Sequence, residues 1–78
     1  MNNSKNNTPK FVVCINNEHY PSSLELHKIY RVLPDADAAV DGDLRIIDES
    51  GEDYLYPESY FVSIEVPQVV EESLLQTS

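Results

Sequence analysis

Short apolar runs separated by polar turns divide the chain into five predicted strands. Phe11–Ile15 is a continuous run of residues that favour β-structure, and Leu24–Leu33 alternates apolar and polar side chains with a period close to two. Leu44–Asp48, Tyr54–Tyr56 and Phe61–Val66 complete the set. Because every run is short and no long helical period lies between them, the pattern predicts an all-β domain.

The alternation also predicts which side chains face the core. In the second strand the apolar residues at even positions share the face that we expect to be buried: Leu24, Leu26, Tyr30 and Val32. In the fifth strand we expect the core-facing set to be Val62, Ile64 and Val66. Tyr54 and Tyr56 share one face of the fourth strand, and one of the two is expected to join Tyr30 in the core. Tyr20 and Tyr60 are expected to be partly exposed.

The segments without a strand pattern are predicted to be loops and tails. Residues 1–10 are rich in Asn, and we expect a disordered tail there. Pro34–Asp43 is acidic, and a solvated loop is favoured over a helical turn at Ala36–Val40. Residues 67–78 place Glu71 in the first turn of a candidate helix. A short C-terminal helix docked on the sheet and a frayed tail fit that segment equally well.

The stretch Ser50–Phe61 carries the most specific local signals. A Ser-Gly turn ends one strand, and Pro57 ends the pairing of the next because it has no N–H to donate. Glu58–Tyr60 then has the length of a single helical turn before the last strand. This order of parts suits the corner of a small barrel, in which a closed sheet hides its edges. We therefore expect a five-stranded barrel over residues 11–66.

The order of the predicted elements resembles the Src-homology-3-like (SH3-like) barrel family. The residues that carry the likeness are L-E-L-H-K-I-Y-R-V-L at Leu24–Leu33 and L-Y-P-E-S-Y-F-V at Leu55–Val62. The second is similar to the family signature of an apolar residue, Pro, two small or polar residues, Tyr and an apolar residue. With Leu44–Ser59 included, the chain resembles small bacterial and phage proteins of this fold. The resemblance implies a module that recognises a protein or a peptide.

The resemblance also indicates a candidate partner-binding surface. In peptide-binding members, aromatic side chains hold a polyproline helix, and Pro57 and Tyr60 match two positions of that surface. Placed across from them, Tyr20 would complete a shallow apolar strip flanked by Glu18 and Glu58. The alternative is that Tyr60 only plugs the end of the barrel. Because the chain has no Trp where the family grips proline-rich peptides, we expect a ligand of another kind.

The charge balance limits the choice of partners. The 78 residues include 14 Asp+Glu and five Lys+Arg, which gives a formal net charge of −9. Such a chain repels nucleic-acid phosphates and anionic membranes, so we expect neither as a partner. A basic protein or peptide is expected instead, bound by a monomer. Two alternatives are an acidic decoy for the basic cleft of a nucleic-acid-binding protein and a structural accessory role.

Residues for catalysis or metal binding are few. Cys14 is the single cysteine and lies in an apolar run, where a buried hydrophobic side chain is expected. His19 and His27 are too few to make a zinc site, and the acids at positions 37–48 match an EF-hand loop only in part. We therefore expect a non-enzymatic protein without cofactor or metal. No apolar run is long enough to span a membrane, which favours a cytoplasmic location.

Overall fold

A computed structural model describes residues 9–76, and the tail predicted at residues 1–10 lies almost wholly outside that part. Apart from the second strand, each strand begins and ends within about two residues of the predicted positions. In chain order the elements are β1 (Phe11–Cys14), β2 (Ile29–Leu33), α1 (Ala36–Val40), β3 (Asp43–Ile47), β4 (Asp53–Pro57), a 3₁₀ turn (Glu58–Tyr60), β5 (Phe61–Ile64) and α2 (Gln68–Gln76).

The five strands form one antiparallel sheet in the order β4-β3-β2-β1-β5. β1 lies between β2 and β5, so the first and last strands of the chain pair directly, with Cys14 opposite Phe61. In the β3–β4 hairpin Leu44 stands opposite Tyr56. β4 and β5 are the two edges, and within the described residues they do not pair with each other. The all-β prediction is therefore confirmed, but the sheet is not closed into the expected barrel.

The core lies on one face of this curved sheet and is formed by short strands and aromatic rings. Its members share a relative exposure of 8% or less: Val12, Cys14, Leu24, Tyr30, Val32, Ile46, Tyr56, Tyr60 and Phe61. Burial of Cys14, Tyr30 and one of the two β4 tyrosines is confirmed. Three of these nine residues are tyrosines, so tyrosine rings supply much of the buried apolar surface.

The local signals around Ser50–Phe61 are confirmed. Gly51 takes a positive φ of 85° in the β3–β4 turn, a conformation that costs other residues energy. Pro57 ends β4, and Glu58–Tyr60 forms the single turn before β5. The backbone N–H of Glu58 bonds to the carbonyl oxygen of Gly42 at 3.0 Å, which ties the turn to the start of β3. The turn is therefore fixed to both strands of the hairpin, because it follows β4 directly and is hydrogen-bonded to the start of β3.

The predicted second strand is wrong in its first half. The chain folds into turns from residue 20 to 28, and His27, which lies within the predicted strand, has a φ of 68° that no strand tolerates. Leu24 is buried from within these turns, whereas Leu26 is 43% exposed. The alternation from Tyr30 onward does describe β2. Leu24 and Leu26 are spaced two residues apart within these turns. That spacing matched the pattern of a strand although the segment is not one.

The predicted core face of the fifth strand is also wrong. Phe61 is buried and Val62 is 49% exposed. Phe61 pairs with the buried Cys14 and packs beside the rings of Tyr56 and Tyr60. An aromatic ring fills more of the core than a valine side chain does, so the larger residue sets the orientation of the strand.

Two helices complete the fold. α1 forms where a solvated loop was favoured, because the Asp35 carboxylate accepts the backbone N–H of Ala38 at 3.0 Å and caps the first turn. Ala38 is buried beneath it. α2 confirms the helical alternative for the C-terminal segment, and an ion pair of 2.9 Å joins its Glu71 to Lys10. None of the helices within residues 9–76 is long and apolar enough to cross a lipid bilayer.

Candidate functional site

The loop between β1 and β2 holds Tyr20 over the end of the core. The carbonyl oxygen of Tyr20 accepts hydrogen bonds from the backbone N–H groups of Ser23 and Leu24 at 3.1 and 2.9 Å. The side chain of Asn17 donates to the Leu24 carbonyl oxygen at 2.8 Å. The Tyr20 ring packs edge-on against Tyr56 with centroids 5.0 Å apart, yet 41% of the residue is exposed. The loop therefore presents a fixed aromatic surface to solvent.

The predicted strip around Tyr60 is partly reproduced. The centroids of the Tyr20 and Tyr60 rings are 6.1 Å apart, so the structure brings these two residues together as expected. Tyr60 itself is buried, which contradicts its expected exposure. Burial raises the pKa of the Tyr60 hydroxyl, and so does its proximity to Tyr20 and Glu18. Pro57 is half-buried and Glu58 is exposed.

The buried Tyr60 ring therefore supports the predicted strip, and the Tyr20 ring is the exposed part of that strip.

Beneath Tyr20 lies a buried carboxylate that sequence reasoning did not place in the site. Asp48 is only 6% exposed. One carboxylate oxygen accepts the Tyr56 hydroxyl at 2.6 Å, and the other accepts the N–H and hydroxyl of Ser50 at 2.9 and 2.6 Å. Burial opposes ionisation, but these hydrogen bonds outweigh it and lower the pKa of Asp48. Burial and the carboxylate together raise the pKa of Tyr56 to about 12.

An open cavity of about 430 Å³ lies between the hairpin and the Tyr20 loop. We call it the tyrosine cavity, and its lining residues are Tyr20, Ser23, Asp48, Ser50, Glu52, Tyr54, Leu55 and Tyr56. Tyr54 and Leu55 are about half exposed, at 53% and 45%. The strand pattern in the sequence predicts that Tyr54 and Tyr56 share one face. It does not predict that Tyr20 and Asp48 lie beside them. The one local signal was the Asp-x-Ser-Gly turn, in which the Asp side chain commonly bonds to the backbone two residues later.

A second polar cluster fixes the loop to the hairpin from the other side. The Tyr30 hydroxyl accepts the backbone N–H of Glu25 at 2.7 Å and donates to the Glu49 carboxylate. Lys28 lies 2.7 Å from that carboxylate and 5.7 Å from the centre of the Tyr30 ring. Lys28 and Tyr30 lower the pKa of Glu49, while burial raises that of Tyr30. The polar groups of this cluster satisfy one another, so its role is structural.

The residues considered for catalysis or metal binding are not assembled into a site. Cys14 is fully buried, its Sγ lies 3.4 Å from the Asn16 carbonyl oxygen, and burial raises its pKa, so the thiolate form is disfavoured. His19 lies beside Tyr20, at a centroid distance of 6.5 Å, and His27 is in a separate turn. Over residues 9–76 no three His, Cys, Asp or Glu side chains are grouped to hold a metal ion.

No protein-family model, curated protein or solved structure matches the chain. The likeness to SH3-like barrels therefore stays a prediction from the sequence. The class of protein is defined by the fold alone, which is a small antiparallel five-stranded sheet with two short helices and a tyrosine-rich surface at one end.

Proposed function

We propose that the protein is a small cytoplasmic, non-enzymatic interaction module that binds a basic segment of another protein or peptide. The observation that carries the proposal is the exposed Tyr20 ring, which rests on Tyr56 and Tyr60 beside the carboxylates of Glu18 and Glu52. A tyrosine held by its neighbours loses little conformational entropy on binding and offers both an apolar ring and a hydroxyl.

The distribution of ion pairs supports a basic partner. Arg45 lies 2.7 Å from Asp35 and 2.9 Å from Asp53, while Lys10 pairs with Glu71 of α2 and Lys28 with Glu49 of the β3–β4 turn. None of the ion pairs within residues 9–76 involves the acids of the Tyr20 surface and of the 3₁₀ turn that carries Tyr60, which are Glu18, Asp48, Glu52 and Glu58. This end of the molecule therefore keeps its negative potential, which attracts a cationic segment and speeds its association.

The order of the elements supports assignment of the sheet to the SH3-like barrels. Strand, long loop, strand, acidic segment, strand, tight hairpin, strand, single turn and strand follow one another as in the sequence likeness. In that arrangement the loop at residues 15–28 and the turn at Glu58–Tyr60 flank the binding surface, with Pro57 at the end of β4 directly before the turn. An acidic decoy is less well supported, because the ion pairs of Lys10, Lys28 and Arg45 neutralise acids in three separate places.

A titration followed by amide NMR spectra tests the proposal. The ligands are short peptides of equal length and hydropathy in which the number of Lys and Arg residues increases from none. We expect saturable binding that strengthens with positive charge, shifts centred on Tyr20, and weakening between about 50 and 500 mM salt.

Tyr20→Ala should lower affinity by about 2 kcal/mol. Val69→Ala, which removes part of an exposed apolar side chain on α2, should leave affinity unchanged. If neutral peptides bind as well as basic ones, or if Tyr20→Ala has no effect, the proposal is wrong.

A further inference from the structure

We propose that the tyrosine cavity takes one lysine side chain of the partner, an inference that rests on the proposed function and specifies its ligand. In the cavity, exposed aromatic surface meets two carboxylates, those of Asp48 and Glu52, that accept hydrogen bonds but take part in no ion pair within residues 9–76. Tyr20 and Tyr54 are exposed at its rim, and Tyr56 lies at its base. An ammonium group is attracted to the faces of such rings, and the aliphatic stem of a lysine packs against their carbons.

Two carboxylates set the charge of the cavity. Asp48 lies in its wall with a lowered pKa, and the exposed Glu52 lies at its rim. The described residues that line the cavity include no Lys or Arg, so no cationic side chain of residues 9–76 lines it. A volume of about 430 Å³ admits one long side chain together with part of the backbone that carries it. A cation is therefore the group that complements this cavity.

The same chain already holds a lysine in a comparable setting. Lys28 bonds to the Glu49 carboxylate at 2.7 Å and lies 5.7 Å from the centre of the Tyr30 ring. A tyrosine and a carboxylate at those distances suffice to hold an ammonium group. The tyrosine cavity offers three rings and two carboxylates, and no lysine is among its described lining residues.

The hydrogen bonds of Asp48 favour lysine over arginine. An ionised carboxylate offers about four acceptor positions, and Tyr56 and Ser50 occupy three of them. A guanidinium group makes its strongest contact through two parallel bonds to one carboxylate, which Asp48 cannot accept without losing a bond. An ammonium group needs only one acceptor and makes the rest of its contacts with Glu52 and the rings.

The test uses the full chain and three glycine–serine peptides that differ only in one kind of residue, which is lysine, acetyl-lysine or arginine. Amide NMR spectra locate the binding site. We expect the lysine peptide to shift the amides of Ser50, Glu52 and Tyr54, the acetylated peptide to have no effect, and the arginine peptide to bind more weakly. Equal binding of the acetylated or the arginine peptide at these residues overturns the inference.

Variants with matched controls separate the cavity from the overall charge. Glu52→Gln should weaken binding of the lysine peptide about two- to fivefold. Glu65→Gln makes the same change in net charge at a residue that does not line the cavity, and it should leave binding unchanged. Tyr54→Leu should weaken it about threefold, whereas Tyr54→Phe keeps the ring and should bind nearly normally. Equal weakening by Glu65→Gln, or by Tyr54→Phe and Tyr54→Leu alike, contradicts the inference.

The location of the shifts distinguishes failure of this inference from failure of the proposed function. If the lysine peptide shifts the residues around Glu18 and Glu58 but not those of the cavity, the lysine site is wrong and the interaction module stands. If only the arginine peptide binds, the outcome is the same. If neither basic peptide binds at about 50 mM salt, both proposals are wrong.

Discussion

The hydrogen bond between Tyr56 and Asp48 offers the sharpest test of how the candidate site is built. Tyr56→Phe removes the hydroxyl but keeps the ring, including its edge-on contact with Tyr20 and its contact with Phe61. Asp48→Asn removes the charge from a side chain that is only 6% exposed. The double variant completes a thermodynamic cycle, which measures the energy of this one contact.

The expected magnitude follows from the chemistry of the contact. A hydrogen bond to a charged, buried acceptor contributes about 1.5–3 kcal/mol, so each single variant should lose that much free energy of unfolding. Because Tyr56→Phe removes the donor and Asp48→Asn removes the charge of the acceptor in the same 2.6 Å bond, the double variant should lose about 1–2 kcal/mol less than the sum. Urea denaturation at neutral pH measures all four proteins. In a chain of this size each kcal/mol also lowers the melting temperature by about 4–8 °C.

The pH dependence gives an independent check. The folded-state pKa of Asp48 lies below its ordinary value of 3.8, so its contribution is present above about pH 4 and is lost as the pH falls through the folded pKa. The folded-state pKa of Tyr56 is raised to about 12 from 10, so its contribution is complete below pH 10 and is lost between pH 10 and 12. The difference in free energy of unfolding between the native protein and Asp48→Asn should therefore become smaller in acid. The difference between the native protein and Tyr56→Phe should become smaller in alkali.

Asp37→Asn, on the exposed surface of α1, serves as the control and should change neither profile. Strict additivity of the two substitutions, or gaps that do not vary with pH, would refute the reasoning.

Four further predictions follow from burial and charge. Phe61→Ala should cost about 3–5 kcal/mol of unfolding free energy and Val62→Ala under about 1 kcal/mol, measured by urea denaturation, and the reverse order would contradict the observed face of β5. Tyr60→Ala should lower the melting temperature by roughly 10 °C or more and Tyr20→Ala by only a few degrees, since Tyr60 is the buried ring. EDTA should leave the melting temperature unchanged, because no assembled ligand set is present in residues 9–76, and a fall of several degrees would reveal a bound cation. A fluorescence titration at about 50 mM salt should show no saturable binding of DNA or RNA, and micromolar affinity would contradict the argument from charge.

The local signals in the sequence determined much of the framework. Pro57 lacks a backbone donor and Gly51 tolerates a positive φ, so the end of β4 and the hairpin turn were set by single residues. The single turn at Glu58–Tyr60 and every strand except the first half of the predicted second strand followed from spacing alone. Such features depend on neighbours within a few residues, and the sequence displays those neighbours directly.

The tertiary structure decided which side chains face the core and which residues meet. In β5 the alternation favoured Val62, Ile64 and Val66 as the core face, but the structure buries Phe61, which pairs with the buried Cys14. Tyr60 was expected at the surface, but it is covered by Tyr20 from a loop forty residues earlier.

Asp48 shows the same limit most clearly. It belongs to the candidate site only because Tyr56, eight residues away, donates its hydroxyl across the hairpin while the Tyr20 loop folds over both. Contacts between distant segments depend on how the sheet packs as a whole, and a periodicity of two along each strand carries no information about them.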